Sequence, residues 1–314
     1  MNILVTGCAG FIGSSLTDKL IINNDNKIIG IDNFDPYYPR AVKENNMKNF
    51  INSDNFTFYE GDIRDKELLS NIFKKHNIDI VVHLAAKAGV RHSFEEPVEY
   101  VSVNIEGTVN ILNTMQKYNV SKIVFASSSS VYGNCKEKMF SEDLKDLQPI
   151  SPYAQSKKNC EDYLKLYTEL FNINAVALRF FTVFGPRQRP DLAIHKFAVN
   201  IAQNKPIPFY GDGTTYRDYT YIEDITDGII SAMYYDKTKF EIFNLGSQNP
   251  ITLTSLVEYI EKDLGKKAII EKYPMQKGDV QSTYANISKA QKLLGYKPKL
   301  TFQEGLHKFI EQLF

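Results

Sequence analysis

The chain has 314 residues, with 37 basic and 37 acidic side chains and a formal net charge of zero. This length suits one large or two ordinary domains, and the charge balance argues against a surface dedicated to nucleic acid or to an anionic membrane. A hydrophobic fraction of 43% with 24% charged residues is typical of globular proteins, which excludes disorder, collagen-like repeats and coiled coil.

Cysteine and histidine usage indicates neither a disulfide framework nor a metal site. The three cysteines are far apart and lack CxxC spacing, and the five histidines have no ligand spacing. No apolar run reaches the ~18 residues of a membrane helix, and the first residues read as a strand entering a glycine turn rather than as a targeting signal. We therefore expect a soluble cytoplasmic protein without metal, membrane or nucleic-acid partners.

Short β-branched runs alternate with helical stretches through the first half of the chain. The runs lie at residues 3–5, 27–31, 56–59, 80–84, 123–126 and 175–180. Strands that are apolar on both faces and separated by helices indicate a parallel sheet covered on both sides. The sequence therefore predicts an α/β fold, with a Rossmann-like doubly wound parallel sheet in residues 1–180.

Beyond residue 180 the pattern changes, because proline and glycine punctuate short segments. Helices are predicted at 225–235, 254–264 and 302–314. We assign residues 181–314 to a smaller C-terminal substrate-binding domain, with 219–245 as a candidate segment that returns to the first domain.

A glycine-rich turn lies between the first strand and the first helix, where a dinucleotide fingerprint is found. Gly7, Gly10 and Gly13 have GxxGxxG rather than GxGxxG spacing. Residues without a Cβ allow a tight turn and close backbone approach, and the helix start at Phe11 and Ile12 offers N–H groups to a pyrophosphate. These five residues are predicted to bind a cofactor.

An aspartate ends the second predicted strand. Asp32 follows Gly13 by 19 residues, close to the ~20 expected for the acid that binds an adenosine ribose. A carboxylate there accepts from the 2′-hydroxyl and repels a 2′-phosphate, which favours NAD over NADP; the alternative is an exposed turn aspartate. Arg40 and Lys43 lie downstream and could soften this preference. Asn33 is included in the predicted cofactor site.

A run of four serines, residues 127–130, follows the strand ending at residue 126, at the carboxyl edge where such sheets bind ligands. Tyr153 and Lys157 are four residues apart at a predicted helix start, so they share one helix face. Tyr-x-x-x-Lys occurs five times in this chain, so the pair alone says little. Tyr153 is distinguished by its helix start, the upstream serines and the nucleotide loop.

These residue types suit proton transfer. A tyrosine acting as a base must ionise near neutral pH, although its ordinary pKa is about 10. A lysine ammonium and a cationic nicotinamide would stabilise the phenolate, and lowering the pKa by about 3 units requires about 4 kcal/mol. A serine hydroxyl would bind the substrate oxygen and complete the proton path.

Over nearly its whole length the chain resembles the extended short-chain dehydrogenase/reductase superfamily, specifically its nucleotide-sugar epimerases. The matching segments follow the family order at residues 6–13, 62–63, 83–86, 104–108, 131–133 and 153–157. The resemblance implies a catalytic triad of Ser128, Tyr153 and Lys157. It also implies further cofactor contacts, with Asn104 supporting the site: Asp62, Ile63, Leu84, Ala85, Ala86, Lys87, Asn104 and Phe180.

Residues 180–191 are similar to those of UDP-glucuronate 4-epimerases, whose matching Thr182, Arg189 and serine-loop hydroxyls (Ser129 and Ser130) contact the sugar carboxylate. An arginine fork suits a carboxylate, although Arg189 could instead hold the diphosphate or be a solvated loop residue. The resemblance implies further substrate contacts at the diphosphate (Arg217), the uridine ribose (Asp279) and the uracil (Ile207 and Phe209), with Arg91 and Arg187 as additional candidates.

Departures from related enzymes narrow the expected reaction. Nucleotide-sugar 4,6-dehydratases carry Asp-Glu where this chain has Ser129 and Ser130, and UDP-glucuronate decarboxylases keep a glutamate at the place of Ser130. The resemblance thus implies NAD-dependent C4 epimerisation of UDP-glucuronate through a transient 4-keto intermediate, in a homodimer. The alternatives are a UDP-glucose or UDP-N-acetylglucosamine 4-epimerase, a decarboxylase and a non-catalytic dinucleotide-binding protein.

Overall fold

The computed structural model describes residues 1–276 and 278–314. Strands β1 to β12 are, in chain order, Asn2–Thr6, Lys27–Asp32, Phe56–Glu60, Ile80–His83, Lys122–Ser128, Asn174–Phe180, Thr182–Phe184, Pro206–Tyr210, Tyr216–Tyr221, Phe240–Leu245, Pro250–Thr252 and Ile269–Tyr273. Helices α1 to α11 are Phe11–Leu20, Arg40–Met47, Lys66–His76, Pro97–Tyr100, Gly107–Lys117, Pro152–Leu170, Ala193–Ala202, Ile222–Met233, Leu253–Leu264, Ser288–Leu294 and Phe302–Leu313. A π-helical stretch, Val101–Glu106, joins α4 to α5.

The central sheet has seven strands in the order β3-β2-β1-β4-β5-β6-β10. All neighbouring strands run parallel. The order reverses between β1 and β4, and doubly wound sheets bind ligands outside the carboxyl ends of the strands at this switch point. The predicted fold class, a doubly wound parallel α/β sheet, is confirmed.

The seventh strand comes from the second half of the chain. β10 pairs with β6, with Phe240 opposite Ala175 and Leu245 opposite Phe180. It lies within the 219–245 segment, whereas the division of the chain at residue 180 stays a prediction. The sequence does not predict this strand, because a polar residue such as Asn244 interrupts the apolar pattern. In the structure Asn244 is buried and accepts a hydrogen bond from the Tyr132 hydroxyl at 2.8 Å.

Apolar side chains cover both faces of the sheet because successive strand residues point to opposite sides. Ile3 and Val5 belong to the layer beneath α1 and α8, whereas Leu4 belongs to the layer beneath α3 and α5. A third apolar cluster, around α7, α9 and α11, joins two small sheets, β11-β9-β7 and β12-β8. Among the described residues, no helix has both the length and the apolarity needed to cross a membrane.

Candidate active site

The turn after β1 requires glycine for steric reasons. Gly7 has a φ of +73°, and a Cβ there would lie 2.8 Å from the Ala85 nitrogen. A Cβ on Gly13 would lie 2.1 Å from the Gly7 carbonyl oxygen. Helix α1 then begins at Phe11, and no described side chain caps its N-terminus at Gly10. The turn therefore presents backbone N–H groups at an uncapped helix start, which suits a phosphate.

Asp32, at the end of β2, is held beside this turn. Its carboxylate accepts from the Ala9 N–H at 3.1 Å and from the Phe34 N–H at 2.9 Å. Burial raises the pKa of Asp32, and the charge of Lys43 and the two N–H groups oppose that rise. With 8% of its surface exposed, Asp32 is not the solvated turn residue of the alternative interpretation.

The two basic residues downstream of Asp32 differ in position, since Lys43 lines the cavity beside Asp32 and Arg40 does not. Arg40 makes a bidentate ion pair with Glu60 at the end of β3, with distances of 2.7 and 2.8 Å. The Lys43 ammonium donates to the Asp35 carbonyl oxygen at 2.9 Å. The Arg40 guanidinium is therefore directed to a carboxylate of its own chain.

A second pair of predicted cofactor residues meets at the neighbouring strand end. Asn33 donates to the Asp62 carboxylate at 3.0 Å, and Arg64 binds the same carboxylate at 2.8 Å. Burial acts to raise the pKa of Asp62, but the hydrogen bonds from Arg64 outweigh it and the pKa is lowered. Asp62 is thus a fixed anion beside Ile63.

The segment after β4 is held from two directions. The Thr6 hydroxyl accepts from the Leu84 and Ala85 N–H groups, both at 3.1 Å. Asn104, in the π-helical stretch, accepts from the Lys87 N–H at 2.8 Å and donates to the Lys87 carbonyl at 3.0 Å. Thr6 therefore orders Leu84 and Ala85, and Asn104 orders Lys87.

Helix α6 brings the tyrosine and lysine to the end of β5. The Ser151 hydroxyl caps the helix by accepting from the Ala154 N–H at 3.1 Å, and Pro152 occupies the first turn. One turn in, Tyr153 is hydrogen-bonded to the Ser128 side chain. The Lys157 ammonium donates to the Ala126 carbonyl at 2.8 Å. The three predicted catalytic residues thus meet at the carboxyl edge of the sheet.

Burial and the groups around Tyr153 act on its pKa in opposite directions. Burial raises the pKa of Tyr153, while the Ser128 hydrogen bond and the charge of Arg189 lower it. Burial lowers the pKa of Lys157 to about 8. Arg189 is the charged side chain that lowers the pKa of Tyr153, and the Lys157 ammonium donates to a β5 carbonyl. The protein groups alone leave the pKa of Tyr153 above its ordinary value.

Arg189 extends the site away from the sheet. Its Nε and Nη2 donate to the two carboxylate oxygens of Asp191 at 3.0 and 2.9 Å, and its Nη1 donates to the Ala88 carbonyl at 3.3 Å. Burial opposes the charge of Arg189, but the bonds to Asp191 prevail and raise its pKa. Ser130 donates to the Ser128 hydroxyl at 2.9 Å, which links the serine loop to the tyrosine.

At the far end, Arg217 in β9 donates to the Val280 carbonyl at 2.7 Å. Asp279 forms an ion pair with Arg91 at 2.9 Å, so two predicted substrate residues contact each other. Arg91 also lies 4.8 Å from the Tyr210 ring centroid. This end of the site is thus closed by contacts between distant loops.

These groups surround one cavity of about 500 Å³. Of the predicted residues, its lining includes Gly7, Gly10, Phe11, Ile12, Gly13, Asp32, Asn33, Asp62, Ile63, Leu84, Ala85, Ala86, Lys87, Ser128, Ser129, Ser130, Tyr153, Lys157, Phe180, Thr182, Arg189, Arg217 and Asp279. Within this lining, the Gly7 turn and the buried Asp32 form a cradle. A Cβ on Gly7 or Gly13 would obstruct this cradle. The donor set fits a dinucleotide.

Five predicted residues lie outside the lining formed by the described part of the chain: Asn104, Arg91, Arg187, Ile207 and Phe209. Arg187 forms an ion pair with Asp18 of α1. Ile207 and Phe209 are buried in the third apolar cluster. The four predicted substrate residues among them, Arg91, Arg187, Ile207 and Phe209, do not line the described cavity, and their assignment stays a prediction.

Several lining residues carry no motif that marks them in the sequence. Tyr37, Tyr38 and Phe181 follow predicted strands, at loop positions where an aromatic side chain has no distinctive spacing. Tyr100 lies 6.1 Å from Tyr153, measured between ring centroids. Its position one helical turn before Asn104 is the signal that could have identified it.

Three features define a dinucleotide-binding enzyme of the short-chain dehydrogenase/reductase class. They are the doubly wound parallel sheet, the glycine turn with its buried aspartate, and the Ser–Tyr–Lys group. The family described as GDP-mannose 4,6 dehydratase matches residues 4–309, and the chain belongs to this family.

Relatives and solved structures narrow the comparison. A UDP-glucuronate 4-epimerase of Thermodesulfobacterium geofontis is 42% identical over 308 residues, which cover 98% of this chain and 94% of that protein. The crystal structure of UDP-glucuronic acid 4-epimerase from Bacillus cereus, in complex with UDP-glucuronic acid and NAD, superposes with a TM-score of 0.94 at 38% identity and covers 100% of both chains. UDP-glucose 4-epimerase of Thermotoga maritima with UDP-glucose has a TM-score of 0.91 at 33% identity, covering 99% of this chain and 98% of that chain.

Proposed function

We propose that the protein is an NAD-dependent 4-epimerase that converts UDP-glucuronate to UDP-galacturonate through a transient 4-keto sugar. The observation that carries this proposal is one cavity that joins the glycine turn to the Ser128–Tyr153 pair and to Arg189. A dinucleotide cradle, a proton-transfer group and an arginine fork are the three elements that this chemistry requires. The similarity to two UDP-glucuronate 4-epimerases supports the same conclusion.

Residues of the cofactor side select NAD. The glycine turn and the start of α1 would hold the pyrophosphate, and Asp32 would accept from the adenosine ribose. A 2′-phosphate would meet the Asp32 carboxylate, while Arg40 is committed to Glu60. Held by these residues, NAD⁺ would supply reversible hydride acceptance from the sugar and, in its oxidised form, a positive pyridinium charge.

Tyr153 moves the proton of the sugar 4-hydroxyl. Its phenolate oxygen takes that proton as C4 is oxidised and returns it when C4 is reduced. The Ser128 hydroxyl binds the 4-oxygen of the sugar during both steps. Arg189 lowers the pKa of Tyr153 against the effect of burial. Arg217 and Asp279 hold the nucleotide so that the sugar can turn between the two steps.

The acids that line the cavity indicate which reactions the site disfavours. Among the described residues they are Asp32, Asp35, Asp62 and Asp279, all on the cofactor or nucleotide side. The serine loop supplies hydroxyls where elimination or decarboxylation would use an acid. Oxidation at C4 makes a β-keto acid, and Thr182 and Arg189 would hold its carboxylate away from overlap with the ketone.

Turnover without added cofactor tests the function. Purified protein is given UDP-glucuronate, UDP-glucose or UDP-N-acetylglucosamine, and the products are identified by NMR. We expect UDP-galacturonate to form fastest. Turnover of the neutral sugars alone would retain the Tyr153 mechanism and refute the assignment of Arg189 to the sugar carboxylate. Full activity and selectivity of Arg189→Ala for UDP-glucuronate would also refute that assignment. A UDP-pentose with CO₂ as the main product would make the protein a decarboxylase.

We also propose a homodimer formed through α4 to α6. Val98, Val101, Tyr163, Leu166 and Leu170 are exposed apolar side chains of this region, and such a surface favours burial against a partner. Sedimentation analysis should give twice the chain mass, and the double variant Leu166→Glu and Leu170→Glu should sediment as a monomer. A monomeric wild-type protein would contradict this assignment.

We propose a cytoplasmic location as well. Cys8, Cys135 and Cys160 are free thiols, two of them buried, as is usual in a reducing compartment. Cell fractionation should recover the protein with cytoplasmic markers, and recovery in an oxidising compartment would contradict the assignment.

A further inference from the structure

Arg189 is already bound by a carboxylate of its own chain. Asp191 receives the Nε and Nη2 protons of Arg189 at 3.0 and 2.9 Å, and the Ala88 carbonyl receives an Nη1 proton at 3.3 Å. An arginine has five N–H groups in a rigid fork. Three of them donate within the described part of the chain, which leaves one on Nη1 and one on Nη2. Asp191 takes the edge formed by Nε and Nη2, so the end of the guanidinium formed by Nη1 and Nη2 is the edge that Asp191 does not occupy.

A tyrosine strengthens this arrangement. The Tyr37 hydroxyl donates to the same Asp191 carboxylate at 3.3 Å, and the Tyr37 ring centroid lies 4.9 Å from the Arg189 guanidinium carbon. Tyr37 and Arg189 both line the cavity. Arg189 is 15% exposed and Asp191 is 39% exposed, so the carboxylate approaches the guanidinium from the solvent side. The guanidinium is thereby held between Asp191, the Tyr37 ring and Ala88.

We propose that Asp191 is a specificity-determining positioning residue. It occupies one edge of the Arg189 guanidinium so that the remaining edge binds the sugar carboxylate in a single orientation. This inference rests on the proposed function and adds to it, because the carboxylate contact assigned to Arg189 depends on a side chain that does not itself line the described cavity. Asp191 also neutralises part of the positive charge of Arg189, so it does not strengthen the attraction for the sugar carboxylate. Its contribution is to fix the orientation of the guanidinium.

Orientation matters because the oxidised sugar can lose CO₂. In that loss the C5–C6 bond breaks, its electron pair forms a C4–C5 double bond as the ketone becomes an enolate, and C5 later takes a proton. The bond breaks readily only when it is aligned with the π-system of the ketone. A guanidinium that is free to turn would let the carboxylate reach this alignment, whereas the Asp191-bound guanidinium holds it away.

The test compares Asp191→Asn with Asp191→Ala and with the control Glu44→Gln. Asparagine keeps the volume of the side chain, but its NH₂ group faces one N–H of the fork, so the bidentate pair is lost. Glu44 forms an arginine pair with Arg40 on the exposed surface, 2.7 Å between Nε and Oε1, and neither residue is part of the cavity lining in the described chain. Holoenzymes are given UDP-glucuronate labelled with ¹³C at C6, and epimer and ¹³CO₂ are measured together.

For Asp191→Asn we expect CO₂ released per epimerisation to rise about tenfold and kcat for UDP-glucuronate to fall about tenfold, the size expected for one lost charged hydrogen bond. KM for UDP-glucuronate should not rise, because the charge of Arg189 is then less neutralised. The affinity for UDP-glucose, measured by calorimetry, should stay within about twofold. The Glu44→Gln variant should match the wild type.

An unchanged CO₂ fraction in Asp191→Asn, or an equal loss of affinity for UDP-glucose, would overturn the positioning role while leaving the epimerase in place. A wild-type holoenzyme that does not epimerise UDP-glucuronate would overturn the proposed function and this inference together. If Asp191→Ala fails to fold, Asp191→Asn carries the test, since it preserves side-chain volume at a partly exposed position.

Discussion

The cavity has two sides that are built differently. The cofactor side consists of the glycine turn, Asp32 and residues 84–87, and it uses backbone N–H groups at the ends of neighbouring strands. The sugar side consists of the serine loop, Thr182, Arg189, Arg217 and Asp279, which come from four separate segments because Thr182 and Arg189 both lie within residues 180–191. Ion pairs and bonds to carbonyls hold its arginines. The cofactor side therefore depends on local sterics, whereas the sugar side depends on contacts between loops, where substitutions can alter the substrate without disturbing the cofactor.

Tyr153→Phe should separate chemistry from both sides. It removes the phenol and leaves the cradle and the arginines in place, so kcat should fall about 10³-fold. Bound NAD, released by heat and measured by absorbance, and the affinity for UDP-glucuronate should stay at wild-type values. A fall in kcat of less than tenfold would mean that another group takes the proton.

Gly13→Ala should damage the cofactor side selectively. The new Cβ would lie 2.1 Å from the Gly7 carbonyl oxygen, and backbone at that distance must move. We expect NAD to bind about a hundredfold more weakly, because the N–H groups that face the pyrophosphate would be displaced. Gly295→Ala is the control for general destabilisation: its φ of +66° strains the backbone, but it lies outside the cavity lining of the described chain and its Cβ meets no described atom within 4 Å, so NAD should bind as in the wild type. Equal NAD content in Gly13→Ala and the wild type would refute the cradle.

Lys157 connects the two sides and gives a pH signature. Burial lowers its pKa from 10.5 to about 8, so between these values the unfolded chain binds more protons than the folded one. The penalty for burying the ammonium is fully present below pH 8 and is relieved as the pH rises toward 10.5. The unfolding free energy of the wild type, relative to Lys157→Met, should therefore rise by about 2 kcal/mol between pH 8 and about 9.5.

Chemical denaturation of both proteins at each pH measures this difference, and subtracting the variant cancels the titration of other groups. A difference that is flat over this range would show that Lys157 keeps an ordinary pKa in the folded protein.

Arg217→Gln should affect the sugar side without changing sugar choice. Arg217 is assigned to the diphosphate, which all UDP-sugars share, so KM should rise about tenfold for UDP-glucuronate and for UDP-glucose, with kcat unchanged. Arg189→Ala is the matched comparison: because Arg189 also lowers the pKa of Tyr153, kcat should fall for both sugars, whereas KM should rise for UDP-glucuronate alone. Steady-state kinetics with both sugars measures the change in KM for each. A loss confined to UDP-glucuronate in Arg217→Gln would assign Arg217 to the sugar carboxylate rather than to the diphosphate.

The cofactor side was predictable from spacing because each of its parts is local. A glycine turn after a strand, an aspartate at the next strand end and a tyrosine four residues before a lysine are short-range patterns. They place Gly13, Asp32 and Tyr153 in one cavity once the strands are parallel. The edge strand β10 was hidden from this reasoning because Asn244 is buried for a hydrogen bond to Tyr132 that links distant segments.

The sequence by itself determined the fold class, the cofactor cradle and the Ser128–Tyr153–Lys157 group, since strand order and helical spacing bring these residues together. The tertiary structure decided which arginine faces the cavity: Arg189 does, while Arg187, two residues earlier, binds Asp18. It also directed the Lys157 ammonium to a strand carbonyl and the Arg189 guanidinium to Asp191 and the Ala88 carbonyl. The loop residues of the sugar side are far apart in the sequence, and their contacts form only when the chain is folded. The partners of its charged side chains therefore could not be derived from sequence spacing.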